Sequence, residues 1–346
     1  MRNQRLVGAW ILGLLIIPVV MGCGPKRDAA TADQDDPPGV RGFEAVSDGR
    51  WIGNAVCYGP HRDGQRPGGP SPSTKQIRED LQLMQSHWSL LRLYGSTGVA
   101  ETAMAVIRTD GLDMKIMLGV WIAVEERRNE RGAVVEKFPE AVAANRQEVA
   151  AAIRLANNYP EIVLAVSVGN ETQIHWSGHR SPLDILIGHV REVRAGVSVP
   201  VTVADDFNYW NKPESRTLAG ELDFLTVHAH PMWNGLQRAD ALSWLRSQLA
   251  TVQEIHPERP LVLGETGWAT SVHDEGEQAE LIKGAPGEAE QKLFYDQVRA
   301  WADAERWTVF FFEAFDENWK GGPQPAEVEK HWGLFRADRS VKQAVQ

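Results

Sequence analysis

The feature that most constrains the fold is a regular alternation of short apolar runs with helical stretches, which begins near Trp51 and continues through most of the chain. Eight of these runs have the length of strands and are apolar almost throughout, as expected when both faces of a parallel sheet are buried. The predicted strands cover residues 53–58, 90–94, 114–121, 162–168, 199–204, 224–228, 261–265 and 309–313. Helices are predicted between them, over residues 74–87, 101–108, 139–157, 182–194, 213–218, 240–255 and 287–305.

This order predicts an α/β protein with the fold of a (β/α)8 TIM barrel, formed by one domain over residues 49–346. The alternative is a doubly wound sheet, which would normally carry a glycine-rich nucleotide loop after its first strand. The first predicted strand ends instead in Cys57-Tyr58-Gly59-Pro60. The barrel is therefore favoured, and reactive polar groups are expected at the C-terminal ends of its strands.

The chain before this domain has the pattern of an export signal. Arg2 and Arg5 precede an apolar run over residues 6–21, which is shorter than the roughly 20 residues that a membrane-spanning helix needs. The run ends in Gly22-Cys23, which resembles a bacterial lipobox and implies cleavage before Cys23 and lipidation of its thiol. The alternative to this lipoprotein signal peptide, residues 1–22, is an uncleaved N-terminal anchor. We therefore expect an exported protein that a lipid anchor holds at a membrane of the bacterial cell envelope.

Composition limits the further partners of the protein. Residues 23–48 have almost no apolar side chains, so we expect a flexible tether there. Lysine and arginine number 36 against 46 aspartates and glutamates, for a net charge of −10. An acidic chain without a basic block binds a phosphate backbone poorly, so nucleic acid is not an expected partner. We expect a monomer that needs no cofactor.

Two isolated glutamates follow predicted strands. Glu171 comes after the fourth strand and is preceded by Asn170, and Glu265 ends the seventh strand and is followed by Thr266-Gly267-Trp268. One such glutamate could equally form a structural ion pair, but two at strand ends are more specific. A carboxylate pair suits glycoside hydrolysis, in which one carboxyl donates a proton and the other stabilises or attacks the anomeric carbon.

At these positions the sequence resembles the retaining (β/α)8 glycosidases of clan A, and in detail glycoside hydrolase family 17. The resemblance is carried by segments 56–60, 91–95, 168–171, 264–268, 312–320 and 331–335. It implies cleavage or rearrangement of β-1,3-glucans, with Glu171 as acid/base and Glu265 as nucleophile. It also implies that Glu317 and Lys320 bind sugar hydroxyls near the cleavage point, and less specifically it points to Glu329.

One departure from the family pattern concerns the partner of the nucleophile. The family often places a tyrosine close behind a proline after the sixth strand, whereas this chain has Met232 there. His230 or Tyr58 could supply the missing hydrogen bond. The residues expected to bind substrate are Tyr58, Tyr94, Asn170, His230, Trp268, Glu317, Trp319 and Lys320.

Tryptophans follow the ends of strands three to eight, at Trp121, Trp176, Trp210, Trp233, Trp268 and Trp319. Sugar rings present apolar faces that stack on aromatic rings, so this pattern indicates a carbohydrate cleft. Packing beneath the loops is the alternative, and we expect it for two or three of the six. Trp268 and Trp319 are expected to stack close to the cleavage point.

Other polar groups have simpler interpretations. His228 and His230 alternate along one strand and could bind a metal, but no third ligand with comparable spacing is evident and no metal site is predicted. Asp205-Asp206 could bind sugar hydroxyls or cap a helix or loop. We expect Arg92 to support the carboxylates from below and Glu313 to pair with a cation.

Together these observations predict a retaining glycoside hydrolase that cleaves β-1,3-glucan by double displacement. A β-1,3-glucanosyltransferase would use the same two glutamates and remains an alternative. A carbohydrate-binding lipoprotein that has lost catalysis is a second alternative, and a metal-dependent barrel hydrolase that uses His228 and His230 is a third.

Overall fold

The computed structural model describes residues 39–346. The predicted signal peptide, Cys23 and the first part of the predicted tether therefore lie outside the described residues. The eight predicted strands form a closed parallel barrel, so the (β/α)8 prediction is confirmed. In chain order the barrel strands are Asn54–Cys57, Leu90–Arg92, Lys115–Val120, Val163–Asn170, Val201–Asp206, Leu225–His228, Leu261–Thr266 and Val309–Phe311.

Helices surround the barrel close to the predicted positions. Ser73 begins the first of them with a capping box, in which its hydroxyl accepts a hydrogen bond from the Gln76 N–H. Gly111 ends the second in the left-handed conformation, with φ of 64°. The longer helices are Thr74–Met84, Val99–Asp110, Pro139–Asn158, Leu183–Gly196, Arg238–Ile255 and Glu288–Glu305. Across residues 39–346, none of the helices has the length and apolar character needed to cross a membrane.

Three short elements on the loops were not predicted. A hairpin of Glu126–Arg128 and Val134–Lys137 follows the third barrel strand. Helix Gly276–Leu281 occupies the acidic stretch after the seventh strand, and helix Phe207–Trp210 follows the fifth. Each element is short and the first two are largely polar, so none shows the apolar periodicity from which an element can be recognised.

The core has two layers that follow from the alternation of side chains along each strand. In the first barrel strand, Ala55 and Cys57 belong to a buried cluster with Leu90, Met117 and Phe310. Val56 belongs instead to the larger cluster that includes the helices. Successive side chains of a strand point to opposite faces, so the first cluster fills the barrel and the second joins the barrel to its helices.

The last part of the predicted tether is packed against the N-terminal end of the barrel. Arg41 pairs with the buried Asp223 at 3.0 Å, and the ring of Phe43 stacks on Phe224 with centroids 4.4 Å apart. Val46–Ser47 forms a small hairpin with Arg50–Trp51. The prediction of a flexible tether is therefore wrong for residues 41–47, because a single aromatic ring and a single arginine find specific partners that local composition does not reveal.

Candidate active site

The two strand-end glutamates meet at the C-terminal mouth of the barrel. Glu265 lies within the seventh strand. Glu171 follows the fourth strand in a left-handed turn, with φ of 51° after Gly169 at 82°. A carboxylate oxygen of Glu171 and one of Glu265 lie within 4.8 Å of each other. The Glu171 side chain is 27% exposed and that of Glu265 only 7%. The site thus has one accessible carboxyl beside a more deeply buried one.

Several donors surround the carboxylate of Glu265. Arg92 Nη1 donates to Glu265 Oε1 at 2.6 Å, and the Tyr94 hydroxyl donates to the same oxygen at 2.9 Å. His230 Nε2 lies 3.4 Å from Oε2. Burial by itself raises the pKa of Glu265, but His228, His230 and Arg92 outweigh it and hold that pKa well below its ordinary value. Glu265 is therefore kept ionised, as a nucleophile must be.

The phenol that reaches Glu265 belongs to Tyr94, two residues beyond the second strand. Sequence analysis had considered His230 and Tyr58 for this role. The structure places His230 beside Glu265 but not Tyr58, which is fully buried and donates its hydroxyl to Asp80 at 3.1 Å. The expectation for Tyr58 is therefore wrong. The sequence did indicate Tyr94, because residues two apart face the same side of an extended strand and Tyr94 is two residues after Arg92.

His228 lies between the two glutamates. Its Nδ1 is 3.1 Å from Glu171 Oε1, and its Nε2 is 3.4 Å from Glu265 Oε1. Sequence analysis considered this histidine only as a metal ligand and missed its bridging position. Glu171, His228 and Glu265 are close enough to hold a cation. The contact of His228 Nδ1 with Glu171 is a hydrogen bond, whereas its Nε2 lies near Glu265 without forming one.

Asn170 and Arg92 link the two halves of the site. Arg92 is buried, and its Nη2 donates to Asn170 Oδ1 at 2.6 Å while its Nη1 holds Glu265. The expected role of Arg92 as a buried support agrees with these contacts. His179 Nε2 lies 2.8 Å from the Asn170 carbonyl oxygen, which further fixes the end of the fourth strand.

Lys320 lies in a second charged group at the mouth. Its Nζ is 2.6 Å from Glu313 Oε1 and 3.0 Å from Glu317 Oε2, so Glu313 has the cation partner expected for it. Both oxygens of Glu317 are occupied, since Oε1 accepts the His61 N–H at 3.1 Å. Although burial acts in the opposite direction, the charge of Lys320 and hydrogen bonds lower the pKa of Glu317 to about 2. The least buried member of the group is Lys320.

Gly59 shows how closely this group is packed. A Cβ at Gly59 would lie 2.4 Å from Glu317 Oε2 and 2.6 Å from its Cδ. These distances leave no room for a side chain, so glycine is required in the Cys57-Tyr58-Gly59-Pro60 segment for Glu317 to reach this position.

The six rim tryptophans divide into exposed and buried residues. Trp319 is 40% exposed, and Trp121 and Trp176 are similarly open. Trp268 is 1% exposed, donates its indole N–H to the Ala285 carbonyl and packs on Phe294. The expectation that Trp268 stacks on substrate is therefore wrong. Trp210 is also buried, so two of the six pack beneath the loops, within the two or three expected.

Trp233 contacts Glu329 and also lines a neighbouring cavity. Its indole N–H donates to Glu329 Oε1 at 3.1 Å, and the ring lines an open cavity of about 390 Å³. The other lining residues are mainly polar: His273, Glu275, Gly276, Glu277, Gln278 and Glu327. Most of these residues belong to the loop after the seventh strand, so the cavity lies beside that loop.

Asp205 and Asp206, at the end of the fifth strand, cap the backbone. Asp206 Oδ1 accepts the Asn208 N–H at 2.8 Å and begins the helix Phe207–Trp210. Asp205 accepts three backbone N–H groups. Burial raises the pKa of Asp205 to about 8 and that of Asp206 to about 6. Of the two alternatives from sequence analysis, the contacts favour the cap.

A closed (β/α)8 barrel with paired carboxylates and exposed tryptophans at its mouth defines a class of protein, the barrel glycosidases. Comparison with known families gives the narrower assignment. The model of the BtgE/BtgC glycoside hydrolase domain matches residues 55–333, and the chain belongs to this family.

Individual relatives agree with this assignment. A glucan 1,3-beta-glucosidase of Arthroderma benhamiae is 27% identical over 296 residues, which cover 80% of this chain and 86% of that protein. A glucan 1,3-beta-glucosidase of Schizosaccharomyces pombe is 23% identical over 78% of this chain and 80% of that protein. Among solved structures, an endo-laminarinase from Formosa has 24% identity and a TM-score of 0.72, over 85% of this chain and 86% of that one. The likeness in structure supports the fold.

Proposed function

We propose that the protein is a retaining hydrolase of β-1,3-glucan, with Glu265 as nucleophile and Glu171 as acid/base. The observation that carries the proposal is the approach of the two glutamates, because an oxygen of one carboxylate lies within 4.8 Å of an oxygen of the other. Retaining glycosidases have their carboxyl groups about 5–5.5 Å apart, whereas inverting enzymes leave room for a water at about 6.5–9.5 Å.

The reaction proceeds in two displacements. A Glu265 oxygen attacks the anomeric carbon, the bond from that carbon to the glycosidic oxygen breaks, and the proton of Glu171 passes to the departing oxygen. Glu171, now ionised, then accepts a proton from water, whose oxygen attacks the anomeric carbon and releases Glu265. The burial of Glu265 among Arg92, Tyr94 and His230 supports the first role. The greater exposure of Glu171 supports the second, because the acid/base must reach both the leaving sugar and water.

The substrate is assigned from the relatives. Their names specify glucan 1,3-beta-glucosidase and endo-laminarinase activity, so a β-1,3-linked glucan is the substrate class. Trp319 lies on the loop after the eighth strand, where its exposed ring suits stacking on a glucosyl ring.

Transfer to a second sugar is the other candidate, and a specific feature favours it. Trp121 and Trp176 are exposed and follow the third and fourth strands, on the side of the mouth that carries Glu171. An acceptor sugar stacked there would compete with water for the glycosyl-enzyme. A solved β-1,3-glucanosyltransferase from Rhizomucor miehei has 21% identity and a TM-score of 0.64, over 84% of this chain and 96% of that one.

Incubation with laminari-oligosaccharides, with the products resolved by size, tests the proposal. Shorter products alone indicate hydrolysis, and products longer than the substrate indicate transfer. Absence of any product would support a carbohydrate-binding protein without catalysis. Comparable activity on cello-oligosaccharides would contradict the β-1,3 assignment, and loss of activity with a chelator would favour a metal at His228.

Export and lipid anchoring complete the proposal. They rest on Arg2, Arg5, the apolar run over residues 6–21 and the Gly22-Cys23 junction. Metabolic labelling of the cells with a fatty acid, compared between the wild type and Cys23→Ala, tests the anchor. Equal labelling of both proteins would contradict it.

A further inference from the structure

Asp205 is a fully buried carboxylate next to the turn that carries Glu171. It belongs to the fifth barrel strand, Val201–Asp206. Its Oδ2 accepts the Gln173 N–H at 2.8 Å, and its Oδ1 accepts the Ile174 N–H at 3.1 Å and the Asp206 N–H at 2.9 Å. Two of these three donors therefore come from the residues directly after Glu171 and Thr172.

The backbone at Glu171 itself is also tied to the fifth strand. The Glu171 N–H donates to the Ala204 carbonyl at 2.9 Å, and Glu171 has a φ of 51°. A left-handed conformation is unfavourable for a residue with a side chain and persists only when its surroundings hold it. Ala204 therefore holds the backbone at Glu171 itself, and Asp205 holds it at the two residues after Thr172.

The contacts of Asp205 differ from those of an ordinary buried ion pair. Among residues 39–346, no lysine, arginine or histidine nitrogen lies within ion-pair distance of Asp205. Burial without a cation disfavours the ionised form of Asp205, in agreement with its raised pKa. Its hydrogen-bond partners are backbone N–H groups, and these contacts fix the geometry of the loop.

We propose that Asp205 is the positioning residue of the acid/base glutamate. By accepting the Gln173 and Ile174 N–H groups, it holds the left-handed turn that directs the Glu171 carboxyl toward the glycosidic oxygen. The inference rests on the proposed function, because it presupposes that Glu171 transfers the proton. It predicts that steps requiring proton transfer depend on Asp205, whereas the attack by Glu265 does not.

The test compares two leaving groups in Asp205→Asn. The amide has the size of the carboxyl but replaces one acceptor oxygen with a donor, so at least one backbone N–H loses its partner. We expect kcat/KM on laminaritetraose, whose leaving sugar must be protonated, to fall at least about tenfold. On a 2,4-dinitrophenyl β-glucoside, whose leaving group needs no proton, kcat/KM should change much less. Added azide should raise the kcat on this substrate, because it replaces the poorly activated water.

Active-site counting keeps the comparison valid if the variant folds poorly. The initial burst of dinitrophenolate measures the concentration of competent enzyme, so rates are expressed per active site. Asp205→Ser is the second variant, since its hydroxyl fits the same space and can accept one N–H bond. An equal loss on both substrates per active site, in both variants, would overturn the proposal, as would a fall in Tm with unchanged kinetics.

Asp223→Asn provides a control for the loss of a buried carboxyl far from Glu171, although Asp223, unlike Asp205, is paired with Arg41 and Arg194. Asp223 is also fully buried and accepts a backbone N–H, from Val201 at 2.7 Å, but lies at the opposite end of the barrel. The Asp223→Asn variant should be less stable than the wild type. The ratio of its kcat/KM on laminaritetraose to its kcat/KM on the dinitrophenyl glucoside should be unchanged.

Glu171→Ala distinguishes a failure of the proposed acid/base role of Glu171 from a failure of the proposed positioning role of Asp205. If Glu171→Ala loses more kcat/KM on laminaritetraose than on the dinitrophenyl glucoside and Asp205→Asn does not, only the proposed role of Asp205 is wrong. If Glu171→Ala loses the same on both substrates, the proposed function is wrong.

Discussion

The two ends of the barrel differ in how their buried carboxyl groups are arranged. At the N-terminal end, Asp223 is paired with Arg41 at 3.0 Å and Arg194 at 2.7 Å, and the ring of Phe43 covers Phe224. At the C-terminal mouth, Glu171 and Glu265 approach each other within 4.8 Å. A buried carboxylate at each end is thus paired with arginine, as Glu265 is with Arg92 at 2.6 Å, but only the mouth places a second, partly exposed carboxyl, that of Glu171, beside the pair.

The loops of the mouth are held by carboxylates that accept backbone hydrogen bonds. Glu148, on the helix Pro139–Asn158, accepts the N–H groups of Ser96, Thr97 and Trp121. It thereby joins the loop after Tyr94 to the loop that carries Trp121. Asp205 acts in the same way on the turn of Glu171. Glu148 and Asp205 therefore hold the loops after the second, third and fourth strands through backbone hydrogen bonds.

Glu265→Ala should show the largest effect at the mouth. We expect a loss of roughly 10⁴-fold or more in kcat, because no other group is placed to form the covalent intermediate. The variant should still fold but with a lower Tm, because Arg92 is left buried without its carboxylate partner. Steady-state kinetics and thermal unfolding, measured on the same sample, check the predicted kcat and Tm. Near-wild-type activity would show that another residue is the nucleophile.

Asp223→Asn should show the converse at the N-terminal end. Removing one partner of a buried ion pair costs about 3 kcal/mol, at the lower end of the usual range because Arg41 is partly exposed and can regain water. The activity of the folded fraction should be unchanged. Urea unfolding and kinetics below the transition measure the two quantities, and a fall in kcat without loss of stability would remove the distinction between the ends.

The fold and the glutamate pair could be predicted because both depend on local pattern. Buried parallel strands are apolar runs, and Glu171 and Glu265 stand out as charges directly after such runs. The assignments that failed depend on where a side chain of the right type points. Tyr58 and Tyr94 both follow strands, yet only Tyr94 reaches Glu265. The choice is made by the loop backbone, which brings the Tyr58 hydroxyl to Asp80.

The packing of residues 41–47 was equally hidden from the sequence. Phe43 and Arg41 are isolated within a polar segment. Their stabilising contacts are with Phe224 and Asp223, which lie about 180 residues further along the chain. Contacts of that separation cannot be recognised from local composition. The same holds for His228, whose bridging position requires the registration of strands four, six and seven.

Trp319 and Trp268 sharpen the comparison within the mouth itself. Trp319→Ala should weaken binding of laminari-oligosaccharides by about 1–3 kcal/mol, since an exposed ring offers a stacking face. It should leave Tm nearly unchanged. Trp268→Ala should instead lower Tm, because removal of a buried indole leaves a cavity beside Phe294. Titration calorimetry measures the affinity of each tryptophan variant for laminari-oligosaccharides, in the inactive Glu265→Ala protein so that the ligand is not cleaved. Equal losses of affinity in both variants would indicate that Trp268 also contacts substrate.

The smallest expected effect is a shift in the acidic limb of the pH profile. Glu265 must be ionised to attack, and its pKa lies well below its ordinary value of 4.5, so kcat/KM should begin to fall only at pH values well below 4.5. The hydrogen bond and charge of Glu265 outweigh burial and raise the pKa of His230 above 6.5. His230 is therefore cationic throughout that acidic range and helps to keep Glu265 ionised. Loss of this cation makes the ionised carboxylate less favourable, so in His230→Gln the acidic limb should move upward by roughly one pH unit.

His189→Gln is the matched control for that shift. His189 also pairs with a carboxylate, Glu125 at 2.7 Å, but does not contact Glu171 or Glu265. Its removal should leave the limb in place, because the electrostatic effect of a partly exposed pair is strongly screened at a distance. If both variants moved the limb equally, the shift would reflect the net charge of the protein. The mouth would then not be electrostatically distinct from the rest of the barrel, and the contrast between its two ends would concern packing alone.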